Sequence, residues 1–560
     1  MMRKIFCAAL SVGCLLALAA APAAAQGTVR RHLVYFRDKN GTPYSVSQPQ
    51  AFLTARAIAR RTRQNIAVTA RDLPVNPSYV AQVRNVAGVQ VRYTSRWFNA
   101  AVVECDSTSL RNIAALPSVL TAKTLNRGPR PVPPPSPSTQ VPPTALRSTL
   151  GTRAQYGMAY KQNEIIGAIA MHDAGYRGEG MHIAVFDAGF PGVDQIPAMQ
   201  PIFNQQRMAG TRNFVDGGNS VYLRHSHGTN CVSAIGAEQD GFYIGTAPRA
   251  TFHLCITEDI NSEHPVEEVN WLAAAEYADS VGVDVISSSL GYSTFDAPSQ
   301  SYTYADMNGR NAIATRAATI AARVGMVVVS AAGNEGDDPW HYITAPADAD
   351  SIMTVGAIDS LGQQANFSSY GPTADGRIKP TLVSQGVASA VLAPSGRAFR
   401  GSGTSYACPI LAGMVAGFWQ ANPTLTAQQV IGTLRSTASL ANNPNNGLGY
   451  GIPNFVRAYN ILHPNSPLAT QPAASGNAKL AIFPNPNGDG PLMLALPTEL
   501  RGRPLQVRIL DSRGAVVSQH QLPAATAEGA SLRLGKLAKG VYTCEVNAGG
   551  TRRTATFVQQ

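Results

Sequence analysis

Charge is scarce in this chain of 560 residues: Asp, Glu, Lys and Arg together make up 14%. With apolar residues at 44%, at least one large core can be built, and the length fits two to four domains. Cysteine is equally sparse. Of the seven, Cys7 and Cys14 fall in an N-terminal leader. The others, Cys105, Cys231, Cys255, Cys408 and Cys544, show no metal-ligand spacing, which excludes a disulfide-framework protein and leaves any pairing open. Acidic residues are thin between Arg30 and Arg153, where arginine is dense, and the net charge is +11. Such a surplus points to nucleic acid, to an anionic membrane, or to an acidic face of the same chain. No nucleic-acid motif accompanies it, so docking within the chain is the expectation and no nucleic-acid partner is assigned.

The chain opens with a leader. Arg3 and Lys4 precede an apolar run that ends at Ala23-Ala24-Ala25, a small-residue cleavage site. The run is too short and small-sided for a membrane span, so residues 1–25 read as a signal peptide and the protein as exported. Residues 27–126 read as a small α+β unit. Its strands are "HLVYFRD" (32–38), "VQVRYTS" (89–95) and "WFNAAVVEC" (97–105). Its helices are "AFLTARAIARRTR" (51–63), with Arg on the outer face, and "STSLRNIAAL" (107–116), opened by Ser107 or Thr108. Residues 127–148 are Pro-rich and read as an extended, protease-accessible linker.

From 149 to 463, short apolar strands alternate with helices: "HIAVFD" (182–187), "TFHLCIT" (251–257), "VDVISSSLG" (283–291) and "MVVVSAAGN" (326–334). That pattern argues an α/β fold, a mostly parallel sheet covered by helices on both faces. A second linker spans 464–477. Residues 478–560 then show short alternating strands with Gly turns, the pattern of a small β-sandwich.

Chemistry concentrates at strand and helix ends. In "GSGTSYACP" (401–409), Gly401 and Gly403 suggest a dinucleotide fingerprint, but Tyr406 stands where the third Gly is needed. The stretch lacks a Lys-Ser/Thr pair, so it is no P-loop. Ser405 leads into a buried, apolar helix in which Pro409 is expected in the first turn, where no helical N–H is needed. Ser405 therefore sits at a helix N-terminus, where free N–H groups and the dipole favour an oxyanion. A Ser hydroxyl needs a base. His227, in "HGTNCVSAIGA", opens a second helix, whereas His225 reads as a surface residue. The base needs an acceptor to set its tautomer. Asp187 ends a buried parallel strand, where open α/β sheets place their sites. Asp194 is the rival carboxylate, out in the adjoining loop. Asn334 ends another strand and offers a side-chain amide to an oxyanion beside the Ser405 N–H.

The order Asp187, His227, Ser405, with "HGTNC", "GTSYACP", "SAAGNEG" and "SSLG" (288–291), resembles the subtilisin family of serine endopeptidases across roughly 180–460. The Asp motif departs from the family's Asp-Ser/Thr-Gly at Ala188. The resemblance implies a catalytic Asp187, His227 and Ser405, with Asn334 in the oxyanion hole. It also implies a protein or peptide substrate lying along Ser289, Leu290 and Gly291. Cys231, four after His227, is similar to the thiol of one subset and implies a free buried thiol near the site. No cofactor is implied for the chemistry and no metal ligand is assigned. A structural calcium is left unplaced, "PADADS" (346–351) reading as a polar loop. Residues 27–126 resemble the family's propeptide, an intramolecular inhibitor. "FPNPNGDGPL" (483–492), "RILDSRGAVV" (508–517) and "LAKGVYTCEV" (537–546) resemble the sorting domain of type IX secretion substrates. That domain implies a partnership with the type IX machinery and a secreted or outer-membrane-surface location on a Gram-negative bacterium. The competing expectations are a silent adhesin or binding protein on the same scaffold, favoured only if the triad does no chemistry, and a nucleotide-binding protein resting on Gly401 and Gly403 alone.

Overall fold

The computed structural model describes residues 28–126, 155–468 and 480–560, the last apart from 484, 489, 497–499, 501, 524–528, 536 and 549–550. The leader 1–25, the Pro-rich linker 127–148 and most of the linker 464–477 lie outside the described residues. The chain divides into two compact units, one up to Leu468 and one from Ala469.

The first unit opens with strand β1 (Arg30–Phe36), helices α1 (Ala55–Arg63) and α2 (Pro77–Arg84), strands β2 (Gln90–Ser95) and β3 (Ala100–Cys105), helix α3 (Ser107–Ala114) and strand β4 (Val119–Thr124). The strands pair antiparallel in the order β2-β3-β1-β4. Every residue of β3 is buried, its one charged residue, Glu104, being paired with Arg31 at 2.6 Å. Ala101 and Val103 face Val83 and Ile113 in the local core, while Ala100 and Val102 face the larger domain. Three local expectations shift. Helix α1 starts at Ala55 because the Thr54 side chain accepts the Ala57 N–H. Helix α3 is capped by Asp106 rather than by Ser107 or Thr108. Arg60 and Arg61 of α1 point inward, each 1% exposed, rather than to solvent.

They point inward because the domain supplies their counter-charge. Seven parallel strands form its sheet: β5 (His182–Asp187), β6 (Met208–Asn213), β7 (Thr251–Ile256), β8 (Val285–Ser288), β9 (Val327–Ala331), β10 (Met353–Ile358) and β11 (Leu382–Gln385). Their order is β11-β10-β9-β8-β5-β7-β6. Side chains alternate between the two faces. Ile183, Val185, Val285, Val327 and Val329 join one core with the helices α4 (His227–Gly236) and α7 (Thr404–Ala421). Ala184, Phe186, Ile286 and Val328 join the other with α5 (Val266–Val281) and α6 (Ile313–Arg323). Phe186 packs edge-on against Trp271, ring centroids 5.4 Å apart. Burial of such a side chain contributes roughly 1.5–3 kcal/mol.

Helix α5 is buried on nearly all sides, acids included. Its Asp279, with no exposure, takes Arg61 at 2.7 Å and Arg96 at 2.6 Å, and also Arg60. Glu276 closes the turn after β2, accepting from the Ser95 hydroxyl at 2.5 Å and the Arg96 N–H at 2.8 Å. The arginines of the N-terminal module thus do meet an acidic face of the same chain.

The second unit holds strands β12 (Ala481–Phe483), β13 (Leu492–Ala495), β14 (Leu505–Leu510), β15 (Val516–Leu522), β16 (Gly529–Leu532), β17 (Gly540–Ala548) and β18 (Thr551–Gln559). They form a three-stranded sheet, β12-β13-β16, and a four-stranded sheet, β15-β14-β17-β18. Leu492, Leu494, Val507, Ile509, Cys544 and Val546 bring both sheets into one core.

Candidate active site

Asp187 is the last residue of β5 and has no solvent exposure. Its carboxylate accepts the Ala188 N–H at 2.8 Å and faces His227 Nδ1, with Oδ1 at 2.9 Å and Oδ2 at 3.0 Å. The approach depends on Gly228. A Cβ there would lie 2.4 Å from the Gly189 carbonyl and 2.9 Å from Asp187 Cβ, so any side chain would force α4 off the strand end. His227 is the first residue of α4. Burial disfavours its charge, but the Asp187 carboxylate and the Cys231 sulfur outweigh that and hold the imidazole well above its ordinary value. Asp194 remains in the loop beyond β5, its carbonyl held by Gln200. His225 is exposed, as expected, and its Nδ1 accepts the His227 backbone N–H at 3.3 Å.

Ser405 is the second residue of α7. Pro409 is not in the first turn but at the sixth position, inside the helix. Its missing N–H is the one that would reach back four residues to the Ser405 carbonyl. That carbonyl instead accepts from the Ser289 hydroxyl at 2.8 Å and the Cys231 thiol at 3.4 Å. The same sulfur lies 3.7 Å from His227 Nδ1, and the Tyr406 ring lies 5.8 Å from the imidazole, centroid to centroid. Cys231 is free and fully buried.

Asn334 is exposed, and its Oδ1 accepts from the Thr404 N–H at 2.8 Å and the Thr404 hydroxyl at 3.0 Å. The carbonyl end of this amide is thereby tied to α7, and its NH2 end faces away from it. Thr404 also bonds the Gly333 carbonyl at 3.1 Å. Strand β8 stops at Ser288. Among the described residues, the backbones of Leu290 and Gly291 make no hydrogen bond, an open edge beside the helix end. The sequence alone does not single out Thr404, Tyr406, His225 or the Ser289 hydroxyl for these contacts. Thr404 and Tyr406 flank Ser405, but their partners lie far away along the chain.

Among the described residues, two groups could hold a metal ion: Asp187, His227 and Cys231, and Glu258, Glu263 and Glu267, the ligand atoms of each lying within 4.8 Å of one another. The first is a mixed, sulfur-bearing set; the second is all oxygen and suits a hard cation. Burial pushes Glu258 up to about 8 and Glu267 up to about 11. In the 346–351 loop, the buried Lys379 ammonium donates to the Ala349 carbonyl at 2.9 Å, and Asp348 accepts the Gly309 N–H at 2.8 Å.

At the carboxyl end of the parallel sheet, Asp187 meets His227, and the Cys231 sulfur links His227 to the Ser405 backbone carbonyl. Residues 31–136 match the Peptidase S8 propeptide domain of Bacteroidota, 178–451 the Subtilase family, and 481–560 the Secretion system C-terminal sorting domain. Subtilisin NAT of Bacillus subtilis subsp. natto is 32% identical over 282 residues, 50% of this chain and 65% of that protein. Subtilisin of Bacillus pumilus is 31% identical over 278 residues, 49% of this chain and 89% of that protein. The crystal structure of MycP1 with its N-terminal propeptide removed is similar over 53% of this chain and 96% of that one, at 22% identity and a TM-score of 0.42. The chain belongs to the subtilase family. It spans 65% of the length of the subtilisin from the natto strain. The sorting domain marks it for secretion, and no helix among the described residues is long and apolar enough to cross a membrane.

Proposed function

We propose that the protein is a secreted serine endopeptidase in which Asp187, His227 and Ser405 act as one relay. Ser405 Oγ attacks the peptide carbonyl and gives its proton to His227 Nε2, the ring nitrogen turned away from Asp187. Asp187 holds the tautomer and offsets the imidazolium charge. The Asn334 amide and the Ser405 N–H receive the oxyanion, and His227 returns the proton to the leaving amine. Substrate adds a strand along Leu290 and Gly291, supplying the hydrogen bonds that edge lacks. Water then repeats the sequence on the acyl-enzyme. The N-terminal module acts as an inhibitor that stays docked through α5, which holds its turn at Ser95–Trp97 and its arginines. The type IX machinery is the export partner, and no cofactor takes part.

The observation that supports this reading most directly is the bidentate approach of the Asp187 carboxylate to His227 Nδ1, at 2.9 and 3.0 Å. The test is labelling with a sulfonyl fluoride alongside casein cleavage. The reading requires Ser405 to be modified and cleavage to stop with it. Purified protein that neither cleaves nor labels, or a Ser405→Ala variant that still cleaves casein and still sheds its N-terminal module by itself, would overturn it.

A further inference from the structure

The N-terminal module docks on α5 through opposite charges, but one part of the same seam sets like against like. A recess of about 310 Å³ lies between the module and α6. Arg71, Trp97 and Phe98 line it from the module, and Arg310, Arg316 and Arg323 from the larger domain. Arg316 and Arg323 stand about two turns apart on one face of α6, and Arg310 lies in the loop that leads into that helix. Lys39 adds positive charge behind Arg71, its ammonium donating to the Arg71 and Arg96 carbonyls, both at 2.8 Å.

Among the described residues, the four recess arginines have no carboxylate partner. The ion pairs of α1 and the β2 turn with the domain use Arg56, Arg60, Arg61, Arg63 and Arg96 instead. The nearby acids are engaged elsewhere. Asp72, next to Arg71 in sequence, takes Arg61 at 2.9 Å. Glu276 accepts from the Ser95 hydroxyl and from the Arg96 and Trp97 N–H groups. Glu268 accepts from the Tyr302 hydroxyl and the Ala314 N–H, and Asp348 from the Thr315 hydroxyl and the Gly309 N–H.

Like charges facing each other across an interface repel unless something neutralises them. A second feature points the same way. Trp97 is 6% exposed, and its indole N–H is buried without a hydrogen-bond partner, so this wall lacks an acceptor. Arg316 is steadied by Phe98, its Cζ 4.4 Å from the ring centroid. A guanidinium fork matches phosphate oxygens two at a time, and four such groups favour a multiply charged ligand over a single carboxylate. We propose that this recess binds a multivalent phosphate-bearing anion, which bridges the N-terminal module to α6 and holds the module in place.

The test titrates inorganic pyrophosphate into the full-length Ser405→Ala chain by calorimetry, with acetate as the monovalent comparison. One pyrophosphate per chain is expected, with acetate at least about tenfold weaker. Arg71→Gln, on the module, and Arg310→Gln and Arg323→Gln, on the domain, should each weaken pyrophosphate about tenfold. Arg111→Gln, which removes an exposed charge on α3 outside the recess, should not. The three recess side chains are exposed, and removing one relieves repulsion, so Tm without the anion should not fall; a purely structural role would lower it. Phosphatidylcholine vesicles with and without phosphatidic acid separate the sources: arginine-dependent binding to the acidic vesicles assigns a lipid headgroup, and binding of pyrophosphate alone assigns a free phosphate. Pyrophosphate should also delay the onset of casein cleavage by the wild-type chain, a consequence that rests on the proteolytic reading above. Absence of pyrophosphate binding, or an equal loss with Arg111→Gln, would overturn the site. Binding without delay in a chain that does cleave would overturn its hold on the module. A chain that never cleaves would overturn the proteolytic reading, and calorimetry alone then decides the site.

Discussion

Asp279 offers the sharpest test of how the N-terminal module is held. Its carboxylate is fully buried and takes three guanidinium groups, Arg60, Arg61 and Arg96, all from that module. Arg60 and Arg61 have side chains only 1% and 2% exposed, so neither is free to find water when its partner is removed. Removing one side of a buried ion pair leaves uncompensated charge, and this typically costs about 3–5 kcal/mol. At 1.4 kcal/mol per tenfold, Asp279→Asn should weaken binding of the separated module by about 100- to several-thousand-fold. Asp284 is a built-in comparison. Its arginine partners from the module, Arg56 and Arg63, have side chains 36% and 42% exposed, so they can turn to water when the buried Asp284 carboxylate is removed. Asp284→Asn should therefore shift binding far less than Asp279→Asn. The assay is inhibition of the processed enzyme by added module 28–126, with Ki read from casein or peptide cleavage. Because the side-chain partners of Asp279 all belong to the module, kcat/KM of the uninhibited enzyme should hardly change. An unchanged Ki for Asp279→Asn, or equal effects at 279 and 284, would refute the idea that buried charge rather than apolar contact sets the affinity.

Further tests address the site. Asn334→Ala should lower kcat on the order of 100- to 1,000-fold with little change in KM, a figure taken from subtilisin itself; steady-state kinetics decide it. His227 must be neutral to accept a proton, and Asp187 holds its charged form well above the ordinary imidazole value. Activity should fall as pH drops through that raised value, so the acid limb of the kcat/KM profile should lie well above 6.5, the ordinary histidine value. Asp187→Asn should move the limb down and reduce turnover on the order of 10,000-fold. The thiol of Cys231, 3.7 Å from His227 Nδ1, should make the enzyme sensitive to thiophilic metals such as mercury. A Cys231→Ala variant should keep its activity in their presence.

Much of this is legible in the sequence because it is locally encoded. Unbroken apolar strands such as "HIAVFD" report a sheet covered on both faces, and the two cores agree, with Ile183 and Ala184 on opposite sides. Asp187, His227 and Ser405 stand out by their position at the ends of such segments. The hidden part depends on contacts between residues far apart along the chain. The helix spacing of α1 is plain, but Arg60 and Arg61 look solvated because nothing nearby names Asp279 as their partner. Pro409 is legible as a helix residue needing special tolerance, yet it lies one turn deeper in the helix than the sequence suggests. The bond it removes is visible only with Ser289 and Cys231 in place at the Ser405 carbonyl.

That vacated carbonyl has a mechanical consequence. An ordinary helix would keep this oxygen for itself and present the alcohol on a self-contained rod. Here the rod has lent it to the 289–291 edge on one side and to the imidazole's helix on the other. In the proposed binding mode, a peptide seated along 289–291 tugs, through a single hydroxyl, on the residue proposed to attack it. Restoring an N–H at 409 would cut that tether while leaving every reacting group in the chain.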